Sequence, residues 1–580
     1  MTSTTTFKAA TVQFEPTMFE KERNIQRLLA LCAEAAASGA RLIVTPEMGT
    51  TGYCWHDRAE VKPFVETIPG PTTDRFQSLA AQHACYIVVG MPEVDAATDL
   101  YYNTAVLIGP DGVIGRHRKS HPYISEPKWA VSGDIAHEVF DTEIGRIALL
   151  ICMDLHFFET ARIEALAGAD VICHISNWLA ERTPAPYWIN RAFENACYVI
   201  ESNRWGLERT MQFSGGSCII EPDGRVSASI DGGDAVAYGT IDLARARQRE
   251  VLSEQVFKAR RPELYTSLMT NSFTWNPNDF FKLYGHQPKP PGRKSILAVA
   301  QFAPSSGTAE NLAAISAIAT EARGADAPDM LVFPELSLTG PDVPAARAER
   351  LTGPAVTAFV RLAMRLRMYL VAGLAEAADG KVYNTAVLAG PEGLVGFYRK
   401  THLGGSDAGW ASAGDKWKVF DLPIGRVGLA IGHDALYPEA IRSLALEGCD
   451  IVACPAALRG VFTGAHAGTA IPHNYPIPKG ADPYHWHAMR VRGGENNLYF
   501  AFANVFDPPR GYQGKSAVFG PDSFAFPRQE SAILDEEGVA SVVVDTTNLD
   551  TPYPTNVVRR KDLITMRLPH HYLPLVKWHQ

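Results

Sequence analysis

Three side chains in the first half of this 580-residue chain could together break a bond at a carbonyl carbon. Glu47 closes the apolar run RLIVTPE, Lys119 follows the second arm of NTAVLIGPDGVIG, and Cys152 closes RIALLIC ahead of Met153 and Asp154. Side chains at strand ends point into crevices fed by loops. There a thiol can attack carbon, a carboxylate can take its proton, and an ammonium can hold developing negative charge. Each residue alone has an ordinary reading. A cysteine after an apolar strand is usually packing, and a lone Glu or Lys at a strand end is usually a solvated cap. Only their convergence in space would give them chemistry.

The elements that must bring them together alternate in type. ARLIVTPE, CYIVVGMPE, RIALLICMD, ADVICHIS and ACYVIESN are short apolar runs closed by polar residues, as buried strands should be. ERNIQRLLALCAEAAASG and FETARIEALAGAD carry helical spacing and end at Gly39 and Gly168. NTAVLIGPDGVIG has two apolar arms around Pro-Asp-Gly, a hairpin signal. Helices on the outer faces of stacked sheets would bury this pattern.

The pattern occurs twice. NTAVLIGPDGVIG at 103–115 returns as NTAVLAGPEGLVG at 384–396. The register extends to Pro46-Glu47 against Pro334-Glu335, Arg118-Lys119 against Arg399-Lys400, and Ile144-Gly145-Arg146 against Ile424-Gly425-Arg426. Arg191, Glu194, Asn195 and Asn203 likewise match Arg492, Glu495, Asn496 and Asn504. A repeat of about 250 residues is a whole domain rather than a solenoid unit. The reading is a first domain over 6–255, a packed aromatic and Pro-rich connector over 256–292, a second domain over 293–549 and a tail over 550–580. The connector's Phe257, Tyr265, Leu268, Phe273, Trp275, Phe280 and Phe281 are too apolar for a free linker.

With the motifs in order, the chain resembles the nitrilase superfamily of carbon–nitrogen hydrolases. The resemblance covers both repeats. It rests on PE (46–47), RKSH (118–121) with Glu126 beyond it, ICMDLHFFETAR (151–162), NW (177–178) and RAFENACYVIESN (191–203). It implies two tandem αββα four-layer sandwiches forming a pseudo-dimer. By position it gives a catalytic Glu47, Lys119 and Cys152, with Glu126 orienting substrate or base. It also implies that the Met153 N–H shares the oxyanion with Lys119, and that no cofactor or metal takes part.

The second copy departs from that pattern. Glu335 and Lys400 are kept, Asp407 replaces Glu126, and Gly432 stands where the first copy has Cys152. His433 is one residue further on, which on a strand would face the other way. One active site per chain is expected, with the second copy acting as a folded partner. A fragment ending near residue 290 should be insoluble or inactive. An insertion near 459–485 carries His466, His473 and His485, with His487 just beyond; without Cys or acidic spacing it reads as a rim or lid loop rather than a metal site. GYQGKS (511–516) lacks the first glycine of a phosphate loop, and GGSC (215–218) lacks serine-elbow spacing.

Composition narrows the rest. Lys plus Arg is 54 against 63 Asp plus Glu, a formal charge of −9, which leaves no broad basic surface for nucleic acid. No apolar run reaches about 18 residues, so no membrane span is expected. Nine dispersed cysteines without C-x-x-C argue against disulfides, and a cytoplasmic location follows as the expectation. Cys152-Met153-Asp154 is closer to the Cys-x-Asp of amidases than to the Cys-Trp-Glu of nitrile hydrolases. The reading is therefore an amidase acting on a small, possibly aromatic amide, with nitrilase, carbamoyl-amide hydrolase and a non-catalytic binding or assembly protein as alternatives. Tyr53, Trp129, His156 and Trp178 are the candidate substrate-contacting aromatics. Arg182, Arg191 and Arg204 are the candidates for a carboxylate clamp. A homo-oligomer is allowed.

Overall fold

A computed structural model describes residues 6–123, 125–179, 182–270, 290–342, 344–473, 480–523, 528–547, 558–559 and 561–578. The connector residues Phe273, Trp275, Phe280 and Phe281, and the tail over 550–557, lie outside the described residues. Two compact units emerge. One comprises residues up to 251 together with 462–487, and the other comprises 252–461 with 488–578.

The first unit is built on two six-stranded sheets. One runs in the order Ala235–Asp242, Thr6–Gln13, Leu42–Val44, Tyr86–Val94, Tyr101–Gly109, Gly112–Arg118. The other runs Val226–Ser229, Cys218–Ile220, Tyr198–Asn203, Val171–Ser176, Gly145–Ile151, Val139–Thr142. The sheets pack face to face, with helices Lys21–Ala37 and Pro71–His83 against the first and Phe158–Leu166 and Pro186–Asn195 against the second. This is the αββα layering. Polar stitches cross the inner layer: Thr11 Oγ1 donates to the Glu201 carbonyl at 2.5 Å and Ser202 Oγ to the Val12 carbonyl at 2.6 Å.

Helix Lys21–Ala37 shows how the pattern is read. Ile25, Leu28, Cys32, Ala35 and Ala36 recur at helical spacing and are buried against Val12, Phe76 and Val89. The helix ends at Ser38, and Gly39 follows with φ +88°, where glycine carries no Cβ penalty. Truncating Leu28, which is fully buried, to Ala would cost roughly 2–5 kcal/mol.

The second unit repeats the plan by itself. A six-stranded sheet carrying Lys294–Gln301 and a five-stranded sheet carrying Gly425–Leu429 enclose a dry layer. Along Lys294–Gln301, Leu297 and Val299 face that layer while Ala298 and Ala300 face the helices. The described connector residues pack within this unit. Tyr265 donates to or accepts from His402 Nε2 at 2.6 Å, and Arg260 pairs with Glu439 at 3.0 Å.

Two sequence readings change. ARLIVTPE keeps only the three-residue strand Leu42–Val44; beyond Pro46 the chain turns, with Met48 at φ +52°. Gly90 permits that turn, because a Cβ there would lie 2.5 Å from the Pro46 carbonyl oxygen and 2.8 Å from Glu47 Cα. The insertion read as a loop forms an antiparallel ribbon, Thr463–His466 with Asp482–His487. It belongs to the first unit.

Candidate active site

Strand Gly145–Ile151 runs directly into a 3₁₀ turn, Cys152–His156, with Cys152 at φ +46°. A non-glycine residue in this left-handed region costs on the order of 1 kcal/mol, and such strain persists only where surroundings enforce it. Asp154 supplies much of the enforcement. Its carboxylate accepts from the Ile151 N–H at 3.2 Å, the Ser120 N–H at 3.1 Å and the His121 N–H at 2.9 Å. It also meets His117 Nε2 at 2.8 Å and His121 Nδ1 at 2.9 Å. Although burial opposes ionisation, those two histidines hold its pKa well below the ordinary carboxylate value. Asp154 therefore ties the turn that begins at Cys152 to the segment that begins at Lys119.

Around this elbow the three predicted groups converge. Lys119 Nζ donates to Glu47 Oε1 at 2.8 Å and to Glu126 Oε2 at 2.5 Å. Asn103 Nδ2 bridges the same two carboxylates at 2.6 and 2.7 Å. Glu47 Oε2 accepts from the Asn177 N–H at 2.7 Å. Tyr53 OH donates to Glu126 at 3.0 Å, and Lys119 Nζ lies 5.6 Å from the centre of the Tyr53 ring. Glu47, Lys119 and Glu126 are sealed from solvent, and Cys152 is 6% exposed.

Burial without bulk water makes their charges interdependent. Burial lifts the Glu47 pKa, and the Glu126 charge adds to the rise, outweighing Lys119 and Asn103. Burial and then the Glu47 charge push the Cys152 thiol well up, against Lys119 and the Asn177 N–H. Burial disfavours the Lys119 ammonium, yet Cys152, Glu126 and Glu47 outweigh it and hold its pKa well above the ordinary value. The burial that raises the Cys152 thiol and the Glu47 carboxyl and the charges that hold the Lys119 ammonium thus couple the three groups, so none titrates by itself.

Other predicted residues fall in different places. His156 stacks on Trp178, centroids 4.5 Å apart, and leans on Tyr187 at 5.1 Å. Burial, then Arg191, drives its pKa down to about 3, so it is neutral. Trp129 packs with Tyr53, Trp55 and Tyr101 in an apolar cluster that meets the site through Tyr53. Met153, the residue after the nucleophile position, is buried in the turn. None of the three arginines is arranged as a carboxylate clamp. Arg191 donates to the Leu155 and His156 carbonyls and to Glu194, and Arg204 pairs with Glu208 at 2.6 Å over the Phe213 ring. Arg182 donates to the His466, Ala467 and Gly480 carbonyls of the ribbon.

Sequence reasoning quoted Asn103, Asp154 and Asn177 within motifs but gave none of them a role in the site. Asn103 is the first residue of the repeated NTAV, and Asp154 recurs as Asp434, so the duplication itself marked both. The Asn177 side chain is buried, and neither of its amide atoms has a hydrogen-bond partner among the described residues.

The second unit holds the same frame around a gap. Glu335 Oε1 accepts from Lys400 at 2.7 Å and Asn384 at 2.6 Å, and Lys400 donates to Asp407 at 2.5 Å. Gly432 keeps the elbow's left-handed backbone at φ +40°. His433 does not point away, as a strand would require. It follows Gly432 in a 3₁₀ turn, Gly432–Leu436, which brings Nδ1 to 3.2 Å from Lys400 Nζ and Nε2 to 3.3 Å from Glu254.

Comparison with known proteins agrees with this duplicated geometry. The carbon-nitrogen hydrolase family profile matches residues 8–250 and again 296–546. The chain belongs to this family, the nitrilase superfamily, as a tandem two-copy carbon–nitrogen hydrolase enzyme. A nitrilase of Pyrococcus abyssi is 38% identical over 44% of this chain and 98% of its own length. The human omega-amidase NIT2 is 29% identical over 45% of this chain and 97% of its own length. Among solved structures, Saccharomyces cerevisiae Nit3 covers 42% of this chain and 92% of its own at 24% identity, with a TM-score of 0.39. No described helix is long and apolar enough to cross a membrane.

Proposed function

We propose that the first unit hydrolyses the C–N bond of a small, uncharged amide to carboxylate and ammonia through a thioester on Cys152. The observation that carries this is the sealed cluster of Glu47, Lys119, Glu126 and Asn103 beside a cysteine held in a left-handed elbow. Cys152 Sγ bonds to the amide carbon as its proton passes to Glu47, and the carbonyl oxygen becomes an oxyanion facing the Lys119 ammonium and the Met153 N–H. Each such donor lowers the barrier by about 3–4 kcal/mol. Glu47 then protonates the nitrogen, the C–N bond breaks and ammonia leaves. Water, deprotonated by the same carboxylate, adds to the thioester and releases the acid and the thiol.

Two further observations support the substrate class. Arg182 donates to carbonyls of the ribbon and Arg191 to the Leu155 and His156 carbonyls and to Glu194, which supports an acyl group without a carboxylate. The Asn177 amide, which has no hydrogen-bond partner among the described residues and whose own backbone N–H bonds Glu47, offers a donor and an acceptor to a polar group. The test is ammonia release from a panel of aliphatic and aromatic primary amides, nitriles and carbamoyl compounds, beside Cys152→Ala. Release from amides alone supports the proposal. Release from nitriles, or carbon dioxide accompanying ammonia, replaces it with nitrilase or carbamoyl hydrolysis. No turnover, with Cys152 inert to iodoacetamide, replaces it with a binding role.

A further inference from the structure

A buried group that the mechanism above leaves unused lies directly behind the elbow. His174 sits on strand Val171–Ser176 and Glu201 on strand Tyr198–Asn203, paired across from one another in the sheet. His174 Nε2 is 3.1 Å from the carbonyl oxygen of Cys152. Its Nδ1 is bonded to Glu201 Oε2, and Glu201 Oε1 accepts from Ser176 Oγ at 2.5 Å. All three side chains are fully buried. For Nε2 to donate to a carbonyl it must carry hydrogen, so the Nδ1–Glu201 bond shares one proton and the pair is neutral overall.

The second unit supplies the comparison. Its equivalent strands, Ile451–Ala456 and Tyr499–Asn504, pair in the same register. There Cys454 faces Phe502 where the first unit has His174 facing Glu201, and Ala456 replaces Ser176. All three polar residues are absent together from the unit whose elbow residue is glycine. Glycine takes φ +40° without a Cβ penalty, whereas Cys152 at +46° needs its peptide held. Burying a carboxyl group and an imidazole is costly unless both are satisfied, so the unit that carries the cysteine also carries the costlier, fully bonded pair.

The held carbonyl has a second consequence. The Cys152 C=O and the Met153 N–H belong to one planar peptide, so fixing the oxygen fixes the direction of the N–H. We propose that His174, locked by Glu201 and Ser176, is a positioning residue that aims the Met153 N–H at the oxyanion and holds Cys152 in its left-handed elbow. The inference rests on the thioester reading in its kinetic part and on the geometry of the elbow in its structural part.

The test copies the second unit into the first: His174→Cys, Ser176→Ala and Glu201→Phe together, in the full chain, beside His174→Leu and His174→Gln. The triple variant places in the first unit a set of side chains that the second unit already packs. Amide turnover is expected to fall about 10- to 100-fold in kcat, with KM within about twofold, as befits a misaimed oxyanion donor. His174→Leu should match it, and His174→Gln, whose amide can donate to the same carbonyl, should recover part of the loss. Independently of turnover, deuterium exchange of the peptide covering 151–157 should quicken in the triple and Leu variants. Unchanged kcat and unchanged exchange in a folded triple variant would overturn the positioning role while leaving the hydrolase reading intact. Wild-type protein inert toward every amide would sink the hydrolase reading, and the exchange measurement would still decide whether His174 holds the elbow.

Discussion

The two units carry nearly the same carboxylate–ammonium frame and differ most at the elbow it surrounds. In the first, Glu47, Lys119, Glu126 and Asn103 surround a thiol; in the second, Glu335, Lys400, Asp407 and Asn384 surround a glycine. The outer oxygen of Glu47 has the Asn177 N–H as donor, while the outer oxygen of Glu335 has none among the described residues. His433 reaches into the second frame and bonds Lys400 on one side and Glu254 on the other. The comparison teaches that the carboxylate–ammonium frame is not itself the function. It persists because a buried Lys stripped of its partners would be left as an uncompensated charge, which typically costs several kcal/mol.

The comparison can be broken most sharply at the thiol. Cys152→Ala should lower ammonia release by roughly 10⁴-fold or more in a chain that melts as the wild type does. Retained turnover would move the chemistry away from the elbow. A fragment ending at residue 290 should be insoluble or inactive. It would lack the 462–487 ribbon, which belongs to the first unit and supplies the carbonyls that Arg182 bonds and the Trp486 ring that meets Phe193 at 5.2 Å. A soluble, fully active fragment would show that the first copy stands alone.

Matched substitutions sharpen it further. Asp154→Asn and Asp434→Asn each remove a buried carboxylate that ties an elbow to the neighbouring turn, and each should cost about 3–5 kcal/mol in denaturant unfolding. Only Asp154→Asn should also lower kcat; equal kinetic effects would mean that the two elbows are coupled. The pH profile is a milder test. In the proposed mechanism the Glu47 carboxylate accepts the proton, and its pKa is raised by burial, so kcat/KM should rise with pH through a limb lying above 4.5. Asp154, whose pKa is lowered, contributes its stability above the unfolded value of 3.8 and loses it only as pH falls below that. The limb therefore reports Glu47 rather than loss of the elbow; a rate flat down to pH 4.5 would contradict the assignment. The smallest effect is expected from Gly432→Cys. Its Cβ would stand 2.4 Å from Glu335 Oε2, and His433 occupies the approach to Lys400, so no added turnover should appear in a Cys152→Ala background.

Much of this was legible without coordinates. The duplication and the alternation of strands and helices follow from apolar runs and turn residues, because burial periodicity is written locally, whereas the αββα layering and the roles of Glu47, Lys119, Glu126 and Cys152 came from the resemblance of the ordered motifs to a family. Asn103 and Asp154 were legible too, as residues kept in both copies, but Asn103 was read only as part of the repeat and Asp154 only as part of the Cys-x-Asp signature. The aromatic candidates were less so. Residues close in sequence to a motif can face either side of a strand or turn, and Trp129 joined the apolar cluster behind Tyr53 while His156 and Trp178 stacked together. His433 was misplaced for a related reason: alternation holds along a strand but fails where the backbone turns into 3₁₀ geometry.

What the sequence determined by itself is the list of groups: one thiol, two carboxylates and an ammonium in the first copy, and the loss of the thiol in the second. The tertiary structure alone decided what those groups are to one another. It removed water from around them, which is what ties the protonation of Glu47 and Cys152 to Lys119. It also folded the 462–487 ribbon onto the first unit and set His174 behind the Cys152 carbonyl. Those pairings join residues far apart in the chain, and no local pattern of side chains encodes a distance across the fold.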